Sequence, residues 1–429
     1  MSHHVVPLSA PEAADAARVG PKAANLAALG RAGLPIPDGF CLEADAYRHQ
    51  IAALGLAETA RNVFAVEGFQ ARRHALDMKL KLMDEPVAPH LKDSLLAARS
   101  ALMERNPDAP VVVRSSALVE DRKGSSFAGQ FESYLQLDGE DEFLTAVRAC
   151  WAALWSTRAL RYMATHDLDP ADTAMAVLVQ PLVAARTAGG ALSRTSENEV
   201  LINATWGLGS SIAQGEVAPD RYVLSRNGTM REAVTGFKQL THAASCAHLR
   251  KPAPARPRAG APCLTVAQAA ELSVLVQRAE TMMGMPVEVE WAMDDAGFKL
   301  LQARPLALQP APVVDEQWRR HPRINGQPAG VGWATGRACV VNCECELIRV
   351  APGDVLVTRM AGPALSQILQ RVAGVVAELG GSTSHLASLA RERGIPMVLG
   401  AFDATHRIPD GSLVAVDGVA GVVRWQAAT

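Results

Sequence analysis

One histidine of the chain, His385, stands in a setting that suits phosphoryl chemistry. It follows a Val- and Ala-rich run (residues 372–378) and the pair Gly380-Gly381, and it precedes a small, aliphatic stretch typical of a helix. The start of a helix has free N–H groups and a positive dipole end, which favour a phosphate. Imidazole is a good nucleophile near neutral pH because much of it is unprotonated there. The pattern therefore favours His385 as a carrier of a phosphoryl group; a capping or core-packed histidine is the alternative.

Two elements near the N-terminus could bind the phosphates of a nucleotide. Lys22 follows Gly20-Pro21 at the start of a predicted helix (residues 22–32), and from there its ammonium could reach phosphate oxygens. In the second element a run of valines leads to Arg114 and two serines, and a Gly/Ser-rich loop follows. A guanidinium fork and backbone amides are what a polyphosphate needs. A surface lysine and an ion-paired arginine at a turn would show the same pattern.

A third element places oxygen ligands on two predicted strands. Residues 287–293 alternate, so Glu288 and Glu290 share one face of their strand. Gln302 and Arg304 share one face of the strand that follows. Carboxylate and amide oxygens suit Mg²⁺, which bridges nucleotide phosphates. An exposed hairpin with cross-strand ion pairs would look similar.

Length and composition restrict the class of protein. A chain of 429 residues is too long for one ordinary core, so we expect two or three domains. A formal net charge of −2 with 20% charged residues argues against a nucleic-acid partner. No run of about 18 apolar residues exists, so no membrane span is expected. The first residues also lack the basic and apolar regions of a signal peptide.

The cysteines favour neither a disulfide framework nor a metal site. Seven cysteines in a chain of this size fit a reduced, cytoplasmic protein. Cys339, Cys343 and Cys345 are close in sequence, but a zinc site needs four ligands and no nearby histidine completes the set. We therefore expect ordinary cysteines of a strand and a loop.

The elements that must position these residues form three blocks. The first, to about residue 186, mixes helices and strands, and the second, to about residue 309, is rich in strands. A compact domain with short Val/Ile/Ala strands and single helices follows. Proline-rich connectors lie at 251–257 and 310–327. Further predicted elements are helices within 44–104 and over 141–166, and strands at 111–114, 199–205 and 299–302.

The segment around His385 resembles the phosphohistidine motif of the phosphoenolpyruvate-utilising enzymes. That motif reads Gly-Gly, one or two variable positions, a Ser/Thr or Cys, His, a small-and-aliphatic helix, Arg-Glu and then Gly-Ile-Pro. The match extends through Arg391-Glu392, Gly394-Ile395-Pro396, Gly400, Asp410-Gly411, Val414 and Asp417-Gly418. The resemblance implies that His385 is the phosphorylated residue. Thr383 stands where plant dikinases have a regulatory phosphorylation site, and ordinary helix capping is the alternative for it.

Residues 15 to 306 resemble, in order and spacing, the ATP-grasp domain of the same enzymes. The resemblance implies an α/β (α+β) fold in which an ATP-grasp domain over 1–309, with two subdomains split near 186, is followed by a linker over 310–327. A swivelling phosphohistidine domain over 328–429 would complete the chain. Three places depart from the family pattern: Pro21, where relatives have a second glycine, residues 190–194 near the phosphates, and residues 360–363, where relatives have Thr-Asp-Pro.

The same resemblance implies ATP and Mg²⁺ as cofactors and assigns a role to each matched residue. Glu290 and Gln302 would hold the magnesium ions, while Lys22, Arg114 and Arg304 would stabilise charge on the transferring phosphates. Gln180 would lie in the hinge strand that meets the adenine, and Ser133 falls where relatives often have threonine. The full implied ATP-binding set is Lys22, Arg114, Gly129, Ser133, Gln180, Glu290, Gln302 and Arg304.

The resemblance implies a phosphotransferase of the dikinase type. His385 would attack ATP, AMP would leave, and the linker would carry the phosphohistidine to an acceptor. The relatives have a third, large domain for that acceptor, and the sequence has no residues left for one. We expect a small-molecule acceptor between the two domains, or a separate acceptor-binding protein. A ligase of the same architecture and a non-catalytic ATP-binding scaffold are the alternatives.

Overall fold

The computed structural model describes residues 4–66, 68–120, 131, 133–137, 139–236, 238, 260–306, 318 and 320–426. It is an α/β structure, which confirms the predicted fold class. The chain divides into two compact units. Unit 1 comprises Met1–Ala184 and Lys299–Arg304, and unit 2 comprises Ala185–Phe298 and Pro305–Thr429. The division into domains 1–309 and 328–429 with a linker between them stays a prediction.

Unit 1 is built on a sheet in which every neighbouring pair of strands is antiparallel, in the order β1-β2-β5-β3-β4. The central strands β3 and β5 are buried along nearly their whole length, and both α1 and α6 pack against them. The elements are β1 (Val5–Pro7), α1 (Ala16–Arg31), β2 (Phe40–Leu42), α2 (Ala44–Ala53), α3 (Ala57–Ala65), α4 (Gly68–Asp84), α5 (Pro89–Arg105), β3 (Val111–Ala117), β4 (Ser133–Leu137), α6 (Glu140–Ala153), α7 (Thr157–Thr165) and β5 (Met175–Pro181).

The single helix predicted over residues 141–166 is wrong, because the structure breaks it between α6 and α7. Ser156 caps the second helix, its Oγ accepting a hydrogen bond from the Ala159 N–H at 3.2 Å. The break also lets the buried Trp155 indole donate to the Tyr47 hydroxyl at 2.9 Å. The predicted helix 22–32 begins earlier, at Ala16, but contains a kink at Gly20 with φ of 76°.

Unit 2 contains two sheets. The first runs β10-β6-β7-β8-β9 and is antiparallel, while the second runs β12-β19-β18-β14-β15-β16-β17-β13 with a parallel core from β14 to β17. Its elements are β6 (Thr187–Leu192), β7 (Glu199–Trp206), α8 (Ser210–Ala213), β8 (Asp220–Ser225), β9 (Met230–Val234), α9 (Val266–Met283), β10 (Val287–Asp294), β12 (Arg323–Asn325), β13 (Gln327–Pro328), β14 (Trp333–Val341), β15 (Val355–Thr358), β16 (Gly374–Ala377), α10 (His385–Arg393), β17 (Met397–Leu399), α11 (Ala404–Arg407), β18 (Leu413–Asp417) and β19 (Val422–Trp425).

Strand β11 (Gly297–Pro305) is divided, because Lys299–Arg304 belong to unit 1 and its two ends belong to unit 2. Short 3-10 helices cover Pro11–Ala14, Pro170–Asp172, Glu344–Arg349 and Pro363–Gln367. No helix among the described residues is both long and apolar enough to cross a bilayer.

Two of the cysteines differ from the expectation of ordinary, unpaired residues. Cys343 and Cys345 form a disulfide, with their Cα atoms 5.4 Å apart, inside the range that such bonds need. Cys339, on β14, is buried and forms no disulfide, and the same holds for Cys41, Cys150 and Cys263. The short spacing Cys-x-Cys brings the two residues close together, but we considered it only as part of a metal site, rejected that site and predicted ordinary cysteines.

Candidate nucleotide and phosphohistidine site

Lys22 lies in the first turn after the kink in α1, at the end of strand β3. A Cβ at Gly20 would overlap Ser116, so only glycine lets this turn approach the strand, where it adopts a positive φ. The Lys22 ammonium donates to the Ser115 carbonyl at 3.0 Å and to Glu120 Oε1 at 3.2 Å. Glu120, which the sequence analysis did not single out, therefore balances this charge. A phosphate would compete with the Glu120 carboxylate for the same ammonium.

Arg114 meets a predicted ligand within unit 1. Its guanidinium donates to the Leu301 carbonyl at 2.7 Å and to Gln302 Oε1 at 2.9 Å. Ser133 is the partner of Arg114 in the register of β3 and β4. Because Lys22 binds the carbonyl of the residue after Arg114, unit 1 gathers a lysine, an arginine and a glutamine around strand β3.

The other predicted residues of the nucleotide end have separate places. Gln180 is buried on β5, and its amide lies 3.4 Å from the Pro37 carbonyl oxygen. Arg304 is also buried. Gly129 lies outside the described residues. The position of Gln180 on an internal strand is compatible with the hinge that the sequence predicts.

Glu290 and Gln302, the predicted magnesium ligands, belong to different units, so their pairing stays a prediction. Both offer oxygen donors, which is the chemistry that Mg²⁺ requires. The Gln302 amide oxygen accepts a hydrogen bond from Arg114, yet it has a second lone pair available. Glu290 is half-buried on β10, opposite Gly190 of β6. The donor set therefore fits the ion.

His385 is the first residue of α10, after a turn in which Gly380 has a φ of 104°. Ser384, the residue before it, caps the helix, since its Oγ accepts from the Ala387 N–H at 3.2 Å. The His385 side chain is half-buried. The capping alternatives for His385 and Thr383 are therefore wrong: Ser384 is the cap, and His385 lies at the helix start where a phosphoryl group is favoured.

The turn before His385 rests on the first sheet of unit 2. A Cβ on Gly190 would overlap the Thr383 side chain, and the Thr383 hydroxyl lies 3.4 Å from Asn203 Oδ1. Glu290 is opposite Gly190 on β6, and Gly190 is opposite Asn203 on β7. Residues paired in this way point to the same face of a sheet. The turn thus lies on the sheet face that carries Glu290, one strand away from it.

A buried ion pair fixes helix α10 to strand β10. Arg391 donates to Glu288 Oε2 at 2.9 Å, and both side chains are only 6% exposed. The Ser388 hydroxyl lies 2.9 and 3.1 Å from the two Glu288 oxygens. His385, Ser388 and Arg391 follow one another at intervals of three residues, so they line one face of the helix. We refer to Glu288, Ser388 and Arg391 as the docking triad.

Polar contacts at the other end of the turn complete the interface. The Gly380 N–H donates to the Val217 carbonyl at 2.8 Å. The Gln327 side chain accepts from Asn203 Nδ2 at 2.9 Å and donates to the Pro219 carbonyl at 3.2 Å. Arg391 also donates to the Ser382 carbonyl at 2.6 Å, which holds the turn against its own helix. The sequence analysis missed this interface, because no local pattern links residues so distant in the chain.

The departure at residues 190–194 has a structural explanation. Ser193 Oγ accepts from the Val287 N–H at 2.8 Å, so this hydroxyl joins β6 to β10. Arg194 pairs with Glu280 at 2.5 Å, and Arg226 pairs with the same carboxylate at 2.8 Å. Burial alone would raise the pKa of the Glu280 carboxyl, but hydrogen bonds from Arg226 and Arg194 outweigh it and hold that pKa below its ordinary value. These residues secure helix α9 beside the sheet.

The contact at Gly190 gives a direct test of the interface. We expect Gly190→Ala to loosen the turn 380–384, because the added methyl group overlaps Thr383 and overpacking costs about 1–3 kcal/mol. Hydrogen exchange of the amides in this turn should accelerate about tenfold or more. Gly209→Ala is the control, since its Cβ would meet only ordinary contacts from 3.6 Å. Equal exchange in wild type and Gly190→Ala would contradict the docked arrangement.

Comparison with known proteins agrees with this geometry. Residues 16–321 match the family described as pyruvate phosphate dikinase, AMP/ATP-binding domain. Residues 350–421 match the mobile domain of PEP-utilising enzymes. These matches confirm the resemblance drawn from the motifs, and they support ATP as the nucleotide.

Relatives with assigned names carry both parts in one chain. The phosphoenolpyruvate synthase of Aeropyrum pernix is 32% identical over 94% of this chain and 56% of its own. The probable phosphoenolpyruvate synthase of Methanothermobacter thermautotrophicus is 32% identical, over 95% of this chain and 61% of its own. The phosphoenolpyruvate synthase of Escherichia coli is 30% identical, over 95% of this chain and 55% of its own. The chain thus spans little more than half the length of these relatives. With most of its residues inside the first match, the chain belongs to the pyruvate phosphate dikinase AMP/ATP-binding domain family.

Proposed function

We propose that this chain is an ATP-dependent phosphotransferase of the dikinase type that uses His385 as its phosphoryl carrier. One observation carries the proposal: the turn before His385 rests on the sheet face that carries Glu290, and the docking triad holds α10 there. A nucleophile at a helix start therefore lies on the same face as a carboxylate suited to a metal–phosphate group. The proposal includes an ATP-grasp domain over 1–309, a linker over 310–327 and a swivelling phosphohistidine domain over 328–429.

The nucleotide end has a role for each predicted residue. Lys22 and Arg114 would neutralise the phosphate oxygens, with Arg304 adding a third positive charge. Exchange of Glu120 for a phosphate as the partner of Lys22 would keep the ammonium paired in both states. Gln180 would contact the adenine, while Gly129 and Ser133 would line the phosphates. Mg²⁺ held by Glu290 and Gln302 would neutralise charge that develops on the phosphates.

The chemistry at His385 balances in three steps. An imidazole nitrogen attacks the β-phosphorus of ATP, the bond from that phosphorus to the bridging oxygen of AMP breaks, and AMP leaves with the electron pair. The imidazole then carries two phosphoryl groups, and the terminal one must pass to water or inorganic phosphate. The remaining phosphohistidine transfers its group to the acceptor, which restores the free imidazole.

The acceptor is proposed only by class. The relatives are named for phosphoenolpyruvate synthesis, and this chain spans 55–61% of the three compared above. We propose a small molecule, or a separate protein that presents one, as the final acceptor. Phosphoenolpyruvate is a useful probe. If this chain shares the reaction of its relatives, the reverse reaction should transfer the phosphoryl group of phosphoenolpyruvate to His385.

The test is the intact mass of the purified protein after incubation with Mg²⁺ and ATP and no acceptor, with the nucleotides analysed alongside. We expect an acid-labile phosphoryl adduct that peptide mapping places at His385, together with AMP. ADP as the only product would contradict attack at the β-phosphate. Binding of ATP without adduct or nucleotide consumption would overturn the phosphotransferase proposal and favour a binding protein.

A further inference from the structure

Three histidines of unit 1 converge on one point although they are far apart in the chain. His4 precedes strand β1, His49 lies in α2, and His90 lies in the first turn of α5. One ring nitrogen from each lies within 4.8 Å of the others. The chain has 11 histidines in all, so more than a quarter of them meet here. Their ring centroids are 4.6 to 6.5 Å apart, with the rings in edge-on orientations rather than stacked.

The cluster is chemically unsatisfied in the part of the chain that the structure describes. His4 Nδ1 is buried and has no hydrogen-bond partner there. An orphaned buried nitrogen is costly, so it calls for a ligand. Burial, and then the neighbouring His49, lower the pKa of the His4 imidazole, although Glu43 and Asp45 act in the opposite direction.

The nearby charged groups are engaged elsewhere. Glu43 pairs with Arg18, and Asp45 pairs with Arg48 at 2.7 Å. The cluster therefore offers three imidazole nitrogen donors. Mg²⁺ and Ca²⁺ prefer oxygen donors, whereas imidazole suits Zn²⁺, Co²⁺, Ni²⁺ and Cu²⁺.

We propose that His4, His49 and His90 form a binding site for one divalent transition-metal ion, with Zn²⁺ as the preferred occupant. Three histidines supply three ligands of a tetrahedral site, and water can take the fourth position because His49 and His90 are exposed. The donors differ from those proposed for the magnesium–ATP end, so the two metals would not compete for one site. This inference does not depend on the proposed phosphotransferase activity.

The site would act as a staple for the N-terminal edge of unit 1. Strand β1 has three residues, lies at the edge of its sheet and pairs only with β2. A metal bound by residues 4, 49 and 90 would connect the start of this strand to two helices. Because an ion that binds only the folded state stabilises it, the metal should raise the thermal stability of the chain.

The experiment uses the full chain, stripped with a chelator and then titrated with Co²⁺ as a spectroscopic probe and with Zn²⁺. We expect one Co²⁺ per chain with visible d–d absorption of a tetrahedral site, displacement of Co²⁺ by Zn²⁺, and no displacement by excess Mg²⁺. Zn²⁺ should also raise the melting midpoint of the stripped protein.

The decisive variant is His49→Ala/His90→Ala, which removes two exposed ligands and should fold normally. It should lose the cobalt spectrum and weaken Zn²⁺ binding by about 100-fold or more. The matched control is His74→Ala/His406→Ala, which removes two histidines outside the cluster. His406 belongs to a separate group with Glu378 and Asp403 whose ligand atoms are also close enough to hold a metal ion. Absence of cobalt binding in the wild type, or binding that survives in His49→Ala/His90→Ala, would overturn the proposal.

Discussion

Replacing His385 by alanine should abolish phosphoryl transfer while ATP binding stays within about twofold of wild type. The expected loss in turnover exceeds about 10³-fold, because the substitution removes the nucleophile itself. ATP affinity should be retained because Lys22, Arg114 and Gln302 make their contacts within unit 1. The measurement is the acid-labile adduct by intact mass, with ATP affinity from calorimetry.

His406→Ala is the matched control for this result. His406 lies in the same mobile-domain match as His385 but is exposed and pairs with Asp403 at 3.0 Å. It should leave both the adduct and the turnover unchanged. If His385→Ala still formed an adduct, another residue would carry the phosphoryl group, and the phosphohistidine interpretation would have to be abandoned.

Replacing Glu288 by glutamine should slow phosphorylation of His385 by about 100-fold with little change in ATP affinity. The substitution keeps the size and the acceptor oxygen of the side chain but leaves the buried Arg391 guanidinium without its carboxylate. Removing one partner of a buried ion pair costs about 3–5 kcal/mol, and every 1.4 kcal/mol corresponds to a factor of ten. The docked population, and with it the rate of a single-turnover adduct assay, should fall accordingly.

Two further variants separate docking from other roles of Glu288. Ser388→Ala removes only a hydroxyl from the docking triad and should slow the adduct assay by about tenfold. A double-mutant cycle of Glu288→Gln with Arg391→Met should show a large coupling energy, because each single variant breaks the same ion pair. A large loss of ATP affinity in Glu288→Gln would place the carboxylate at the nucleotide instead and refute the docking interpretation.

The sequence allowed the local features of the site to be predicted because short-range physics determines them. The turn before Lys22 and the helical pattern after it predicted Lys22 at the start of a helix; the structure starts that helix at Ala16, and Lys22 follows the kink at Gly20. The valine run predicted a buried strand that ends at Arg114; the strand is confirmed, but it continues to Ala117, so Arg114 lies at its centre. The Gly-Gly turn and the start of α10 at His385 followed from the same reasoning, since Gly380 needs its positive φ.

The remaining features depend on contacts between residues distant in sequence. Strand alternation placed Glu288 on the same face as Glu290, the predicted magnesium ligand. No local pattern shows that Glu288 forms an ion pair with Arg391. The break at Ser156 interrupts a good helical pattern, and it lets Trp155 donate to Tyr47, a residue distant in the sequence. Likewise, the imidazoles of His4, His49 and His90 meet only once the helices of unit 1 have packed.

The division of strand β11 has a consequence for how the protein is made. Unit 1 needs Lys299–Arg304, yet these residues leave the ribosome only after residues 185–298 of unit 2. Before residues 299–304 are synthesised, the Arg114 guanidinium lacks its hydrogen bonds to Leu301 and Gln302. The nucleotide end therefore cannot be completed while the chain is still short. A nascent chain halted after residue 184 should therefore have an unfinished ATP site, and competence for the nucleotide should come late in synthesis. The same interleaving means that a gene cut at residue 184 would sever one folding unit rather than separate two.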